Sequence, residues 1–199
     1  MNLQFYIEKL KHSKEYKDFM KENPKAHLCG GFFIIDKENP QNPDNKAHLD
    51  VYIPSKKKMF NIEISCKPLS SEIFSSETPK KIQGVSDFQL DGETKLHPVE
   101  MFKGTLTPKK IKANSKLDFS EIEDMIYDKM EKEGIKNKLQ RIIMILQNKD
   151  NKDFWICTVF ISGLGLLKVN IDDASKKIIL FEKKSLFDML KFTGKKKSK

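Results

Sequence analysis

Hydrophobic residues recur along this chain with two different periods, and the changes of period divide it into elements. Over residues 3–20, Leu3, Ile7 and Leu10, then Tyr16, Phe19 and Met20, return every three or four positions among Lys and Glu, which predicts one amphipathic helix. Asn23-Pro24 ends it, because proline pushes its predecessor out of the helical region and has no N–H to donate. Residues 26–36, AHLCGGFFIID, then read as a strand in which Gly30-Gly31 marks a bulge or a close backbone approach. After a polar loop with two prolines, Leu49, Val51 and Ile53 alternate with His48, Asp50 and Tyr52. Beyond the turn at 54–58, Phe60, Ile62 and Ile64 share a face in the same way. These two segments predict a hairpin.

The signal weakens over residues 67–116, where Pro68, Pro79, Pro98 and Pro108 punctuate short pieces such as 85–90 and 99–106, with Asp91-Gly92 as the best turn. Two or three short strands in an irregular connection are expected there. At Asp118 order returns. Asp118 followed by Glu121 is a capping-box pattern; Ile122, Met125, Ile126 and Met130 mark one helical face, and Gly134 stands where a C-cap belongs. Residues 139–146, LQRIIMIL, predict a buried strand, and 147–153 a polar turn.

The most apolar run follows. Residues 154–161 predict a strand covered on both faces, Ser162-Gly163-Leu164-Gly165 a bend, and Leu167, Val169 and Ile171 a strand with one wet face. A turn at 173–177 leads to a closing strand at 178–181, and Ser185 is positioned to cap a last helix carrying Leu186, Met189 and Leu190.

The order helix, apolar strand, polar loop and further strands occurs twice. It predicts an α+β fold of two similar helix-plus-antiparallel-sheet units sharing a core along their most apolar strands. The expected divisions are a first unit at 1–67, an irregular connection at 68–116, a second unit at 117–192 and a basic tail at 193–199.

Composition changes this picture little. A chain of 199 residues can bury a core without staples, and no apolar run approaches the roughly 20 residues of a membrane span. The N-terminal stretch is charged from its start and has no signal-peptide pattern, so a cytoplasmic location is expected. Cys29, Cys66 and Cys157 are odd in number, far apart and set in apolar contexts, as reduced core thiols are. The net charge of +9 rests on lysine, since Arg141 is the only arginine. Five lysines lie in the last nine residues, and without them the body carries +4. The guanidinium fork that reads base edges is therefore almost absent.

The run WICTVFISGLGLLKVNIDDASKKII, preceded by a helix, resembles the PepSY-like arrangement, itself similar to the cystatin-like helix across a sheet. Ile171-Asp172, Ala174-Ser175 and Ile178-Ile179 are the matching positions, over about a third of the chain. Ser175-Lys176-Lys177 lacks the glycine that family usually places at the turn. The resemblance implies this topology and a non-catalytic module that binds or restrains a protein partner.

Reactive sets are hard to assemble. His27 with Cys29, or His48 with Cys66, supplies zinc-ligand types, but no C-x-x-C or H-x-x-x-H pair exists and buried thiols account for the cysteines. Ser162 has neither G-x-S-x-G around it nor a helix after it, so it is no nucleophile elbow. Asp172-Asp173 is expected to be a solvated turn, and His97 a loop residue. Phe32, Phe33, Phe60, Phe154 and Phe160 are expected in buried strand positions. No catalytic residues, metal or cofactor are expected.

Lysine clusters are the stronger candidates. Lys56, Lys57 and Lys58 sit at one hairpin tip and Lys176 and Lys177 at another. Lys109, Lys110 and Lys112 lie in the connection, and Lys195, Lys196 and Lys197 on the tail. Solvated loop lysines are their ordinary role; attraction of an acidic partner is the functional one. The sequence thus predicts a non-enzymatic protein that engages a protein partner through its sheet surface or edge. The alternative is a sequence-nonspecific RNA- or DNA-binding or ribosome-associated protein.

Overall fold

The computed structural model describes residues 3–64, 96–99, 107–112 and 114–185. Helices α1 (Leu3–His12) and α2 (Lys14–Glu22) precede strands β1 (His27–Asp36), β2 (Lys46–Ile53), β3 (Lys58–Ile64) and β4 (Leu96–Val99). Helix α3 (Phe119–Lys132) precedes β5 (Leu139–Lys149), β6 (Lys152–Ile161), β7 (Gly165–Asp172) and β8 (Lys177–Ser185). The strands form one antiparallel sheet in the order β4-β3-β2-β1-β5-β6-β7-β8. Each half of the chain is a meander, and the halves meet where β1 pairs with β5, Phe33 opposite Met144. The most apolar run contributes Trp155, Cys157, Val159 and Ile161 to a core that both halves share. β6 carries that run but lies one strand further out, because β5, which begins the second meander, occupies the central seam.

The predicted first helix is two. Ser13 interrupts it, and its hydroxyl accepts from the Tyr16 N–H at 3.3 Å, capping α2. The chain then turns at Asn23, which is buried. Its side chain donates to the Phe19 carbonyl at 3.0 Å and accepts from Lys56 Nζ at 2.8 Å, tying the helix end to the β2–β3 turn.

In β1 the register slips between Leu28 and Gly30, so Cys29 is the bulged residue. Gly31 provides the close approach: a Cβ there would stand 2.8 Å from the Phe33 ring. The β2–β3 hairpin pairs as the alternation predicts, Leu49 opposite Ile62 and Val51 opposite Phe60. His97 and Pro98 fall in edge strand β4 rather than in a loop; an edge position tolerates a proline that cannot donate.

α3 has the full capping box: the Glu121 N–H donates to Asp118 Oδ1 at 2.8 Å and the Asp118 N–H to Glu121 Oε2 at 3.0 Å. It ends at Gly134 with φ +67°, whose N–H bonds to the Glu131 carbonyl while the Ile135 N–H bonds to that of Met130, the Schellman pattern.

Two strands expected to be covered on both faces are covered on one. In β6, Trp155, Cys157, Val159 and Ile161 are buried while Phe154, Ile156, Thr158 and Phe160 are half-exposed; β5 alternates likewise. The run is apolar on both faces, but the described helices contribute to the core on one of them only. The polar turn predicted over 147–153 shortens to Asp150 and Asn151, both at positive φ, because β5 continues through Lys149. β8 is longer than predicted and extends through Ser185, and the residues that Ser185 was expected to cap lie outside the described ones. The helix expected after Ser185, the tail lysines Lys195, Lys196 and Lys197, Cys66, Asp91-Gly92, and the short strand expected at 85–90 lie outside the described residues.

Tyr6, Ile7, Phe33, Leu49, Trp155 and Ile126 belong to one continuous core beneath the sheet. Phe33, Phe119 and Trp155 are its aromatic centre, with ring centroids 4.9–5.9 Å apart. The Trp155 indole N–H, fully buried, donates to Asp173 at 2.9 Å. Asp173 is therefore not a solvated turn residue. It is 5% exposed and also accepts from the Ser115 hydroxyl and the Lys116 N–H. Asp153 accepts from the Lys112 N–H at 2.8 Å, and the Ile111 N–H bonds to the Leu28 carbonyl. Two buried carboxylates thus strap the connecting segment across one end of the sheet.

Candidate functional site

The predicted reactive sets do not assemble among the described residues. The Cys29 thiol faces the Asp50 carbonyl at 3.5 Å, and burial, aided by the Asp50 charge, pushes it up to about 12. Burial alone raises Cys157 to about 12. Neither is a thiolate at neutral pH. The His27 ring lies against the Pro108 carbonyl and edge-on to Tyr52. Ser162 accepts from the Lys138 N–H, and its carbonyl accepts from Asn137, which pins the β6–β7 bend at its β6 end. No three metal-ligating side chains are gathered among the described residues. No helix among them is long and apolar enough to cross a membrane.

Two surfaces remain. The first is the face of the sheet opposite the helices. The register sets Phe32, Ile145 and Ile156 in one row across β1, β5 and β6, and Ile34, Ile143 and Thr158 in the next. Phe154 and Phe160 lie on the same face, with Ile145 39% exposed. Phe32, Phe154 and Phe160 were expected to be buried; they are half-exposed because no described helix packs there. A shallow cavity of about 380 Å³ at one end of this face is lined by Arg141, Ile143, Phe160 and Leu164.

The flank of this face is polar. His48 stacks on Phe32 with centroids 5.0 Å apart, and its Nε2 lies 3.5 Å from Asp50. Burial pushes Asp50 up to about 6. Burial also lowers His48, against the pull of the Glu63 charge. At neutral pH the contact therefore joins a neutral imidazole to a carboxylate, and the close approach is not an ion pair.

The second surface is one end of the sheet. Antiparallel pairing brings the β2–β3 turn, with Lys56, Lys57 and Lys58, to the same end as the β7–β8 turn, with Lys176 and Lys177. Between them lies the strapped segment with Lys109, Lys110 and Lys112, held to Leu28 and Asp153. Lys149 and Lys152, flanking the β5–β6 turn, join the group, although the sequence pattern had not singled them out. Their signal was available: they bracket a tight turn, and meander topology sends alternate turns to one end. Lys109 lies 3.9 Å from Asp150, and Lys176 pairs with Glu121 at 2.7 Å. Lys57, Lys58, Lys110, Lys112, Lys149 and Lys177 have no ion pair among the described residues.

At the opposite end four of the cations sit beside acids, while Lys136, Lys138 and Lys183 have no ion pair among the described residues. Lys46 pairs with Asp44, Lys184 with Glu182 and Lys37 with Glu123, while Arg141 lies 3.7 Å from Asp36. Burial works to raise the Asp36 carboxyl, but the N–H groups of Asp44 and Glu38 and the Arg141 charge hold it below the usual range.

No protein-family model, curated protein or solved structure matches this chain.

Proposed function

We propose that this chain is a non-catalytic binding protein that engages a protein partner through the face of its sheet opposite the helices. The observation that supports this most is the row Phe32, Ile145 and Ile156 with its apolar neighbours, half-exposed at the centre of the sheet. A monomeric protein gains nothing by wetting such a patch, and an apolar partner surface removes it from water. The face suits a protein better than a nucleic acid because its row Phe32, Ile145 and Ile156 carries no cation, Lys168 and Arg141 standing at its margins. The same reading takes the two halves as related helix-plus-sheet units, in keeping with the PepSY-like resemblance. The matching order of helix followed by four-strand meander supports that relation.

The test is affinity capture with the wild-type chain and with an Ile145→Asp, Ile156→Asp variant whose circular dichroism is unchanged. A protein that survives nuclease and moderate salt, and is lost with the variant, is the expected result. Recovery of nucleic acid alone, or equal capture by the variant, would overturn the reading.

A further inference from the structure

We infer that the lysine-bearing end of the sheet is a second, separate binding surface: a track for the phosphate backbone of an unpaired RNA or DNA strand. Sequence order scatters its lysines over more than a hundred positions, and the meander gathers them. From the β2–β3 turn to the β7–β8 turn is five strand spacings, about 24 Å at about 4.8 Å each. Clusters stand at both ends of that line and at its middle, where Asp153 and Asp173 hold the connecting segment in place.

Those two carboxylates are buried and already hydrogen-bonded inward, so they offer little to a ligand outside. Both ends hold paired cations, Lys109 and Lys176 here and Lys46, Lys184 and Arg141 there, so the track is made by the lysines that stand along this line without an ion pair among the described residues: Lys57, Lys58, Lys110, Lys112, Lys149 and Lys177.

The chemistry at this end selects a backbone over bases. Lysine is a point charge that grips phosphate without reading base edges. Near this end Tyr52 and Trp155 are 4% and 0% exposed, and the half-exposed Phe154 lies on the apolar face of the sheet; the turns and the strapped segment at 109–112 carry no aromatic ring on which bases could stack. A line of turn tips suits a flexible single strand, which can follow it, better than a duplex whose backbone winds away.

The experiment titrates the full chain with a short fluorescein-labelled oligouridylate and follows fluorescence anisotropy across a salt series. Binding at low salt is expected, with log K falling against log salt at a slope of about −2 to −3.5, corresponding to about three to five phosphate contacts. A Lys56→Glu, Lys177→Glu variant is expected to weaken it at least about tenfold. A Lys136→Glu, Lys138→Glu variant makes the same charge change at the opposite end and is expected to weaken it less than about threefold.

Absence of binding at low salt, equal loss in both variants, or no loss from Lys56→Glu, Lys177→Glu because the tail carries all the affinity would each overturn the inference. So would a duplex or polyglutamate that binds as tightly as the oligouridylate. An Ile145→Ser, Ile156→Ser variant is expected to leave oligouridylate binding intact, so failure of this surface and failure of the apolar face are read separately.

Discussion

The two faces of this sheet are nearly matched in side-chain character at their centre and differ in what lies over them. On the helix side Phe33, Met144, Trp155 and Cys157 are buried in one core with residues of α3 and the first two helices. One residue along, Phe32, Ile145 and Ile156 have the same kind of side chain and remain half-wet. Apolar composition alone therefore does not make a core; burial requires a second layer to lie against it. The difference gives one face the work of stability and leaves the other as the surface on which the proposed recognition rests.

The largest effect should come from emptying the covered face. Trp155→Ala removes the centre of the aromatic cluster and leaves Asp173 without its indole donor, and should cost about 3–5 kcal/mol in urea unfolding. A cost under about 1 kcal/mol would mean that the two faces are energetically alike and would break the comparison.

A smaller effect, with a pH signature, is expected on the flank of the open face. Asp50 titrates near 6 when folded against about 3.9 unfolded, so between those values the folded state holds a proton that the unfolded state has lost. Its contribution therefore makes stability fall as pH rises from about 4 through about 6. Asp50→Asn should be more stable than wild type at pH 7 by on the order of 1–2 kcal/mol, with the difference fading near pH 4. Because His48 and Glu63 stay in both proteins, the difference between the two unfolding curves isolates Asp50. A gain that persisted unchanged at pH 4 would assign it to something other than this carboxylate.

The smallest effect should come from the open face itself. Ile145→Ser should change stability by no more than about 0.5 kcal/mol, as surface substitutions do. A cost above about 2 kcal/mol would show that the face is covered in solution and would sharpen the comparison into a search for its cover.

Much of the local order was legible in residues. The α3 capping box and its glycine terminus need only neighbours along the chain, so Asp118, Glu121 and Gly134 announced them. The β2–β3 alternation was equally plain, because period two is a local property. The break at Ser13 was harder to see, since the apolar spacing runs through it and only the serine hydroxyl marks the cap. Half-burial of Phe32, Phe154 and Phe160 was not legible at all, since it depends on which elements lie above a strand rather than on the strand.

The candidate sites divide the same way. Each lysine cluster was visible as a run, and Lys149 and Lys152 were overlooked because they are split by a turn. That the clusters share one end of the sheet follows from strand order, and strand order is set by long-range pairing.

By itself the sequence determined the elements, their caps and turns, the alternation within strands and the absence of a recognisable reactive motif, all consequences of interactions between near neighbours. Only the tertiary structure decided that β1 and β5 would form the seam and that Asp173 would be buried beneath Trp155. It decided as well that one apolar face would lie away from the described helices and that scattered lysines would stand in a line. Those outcomes depend on contacts between residues far apart in the chain, whose partners no local pattern names.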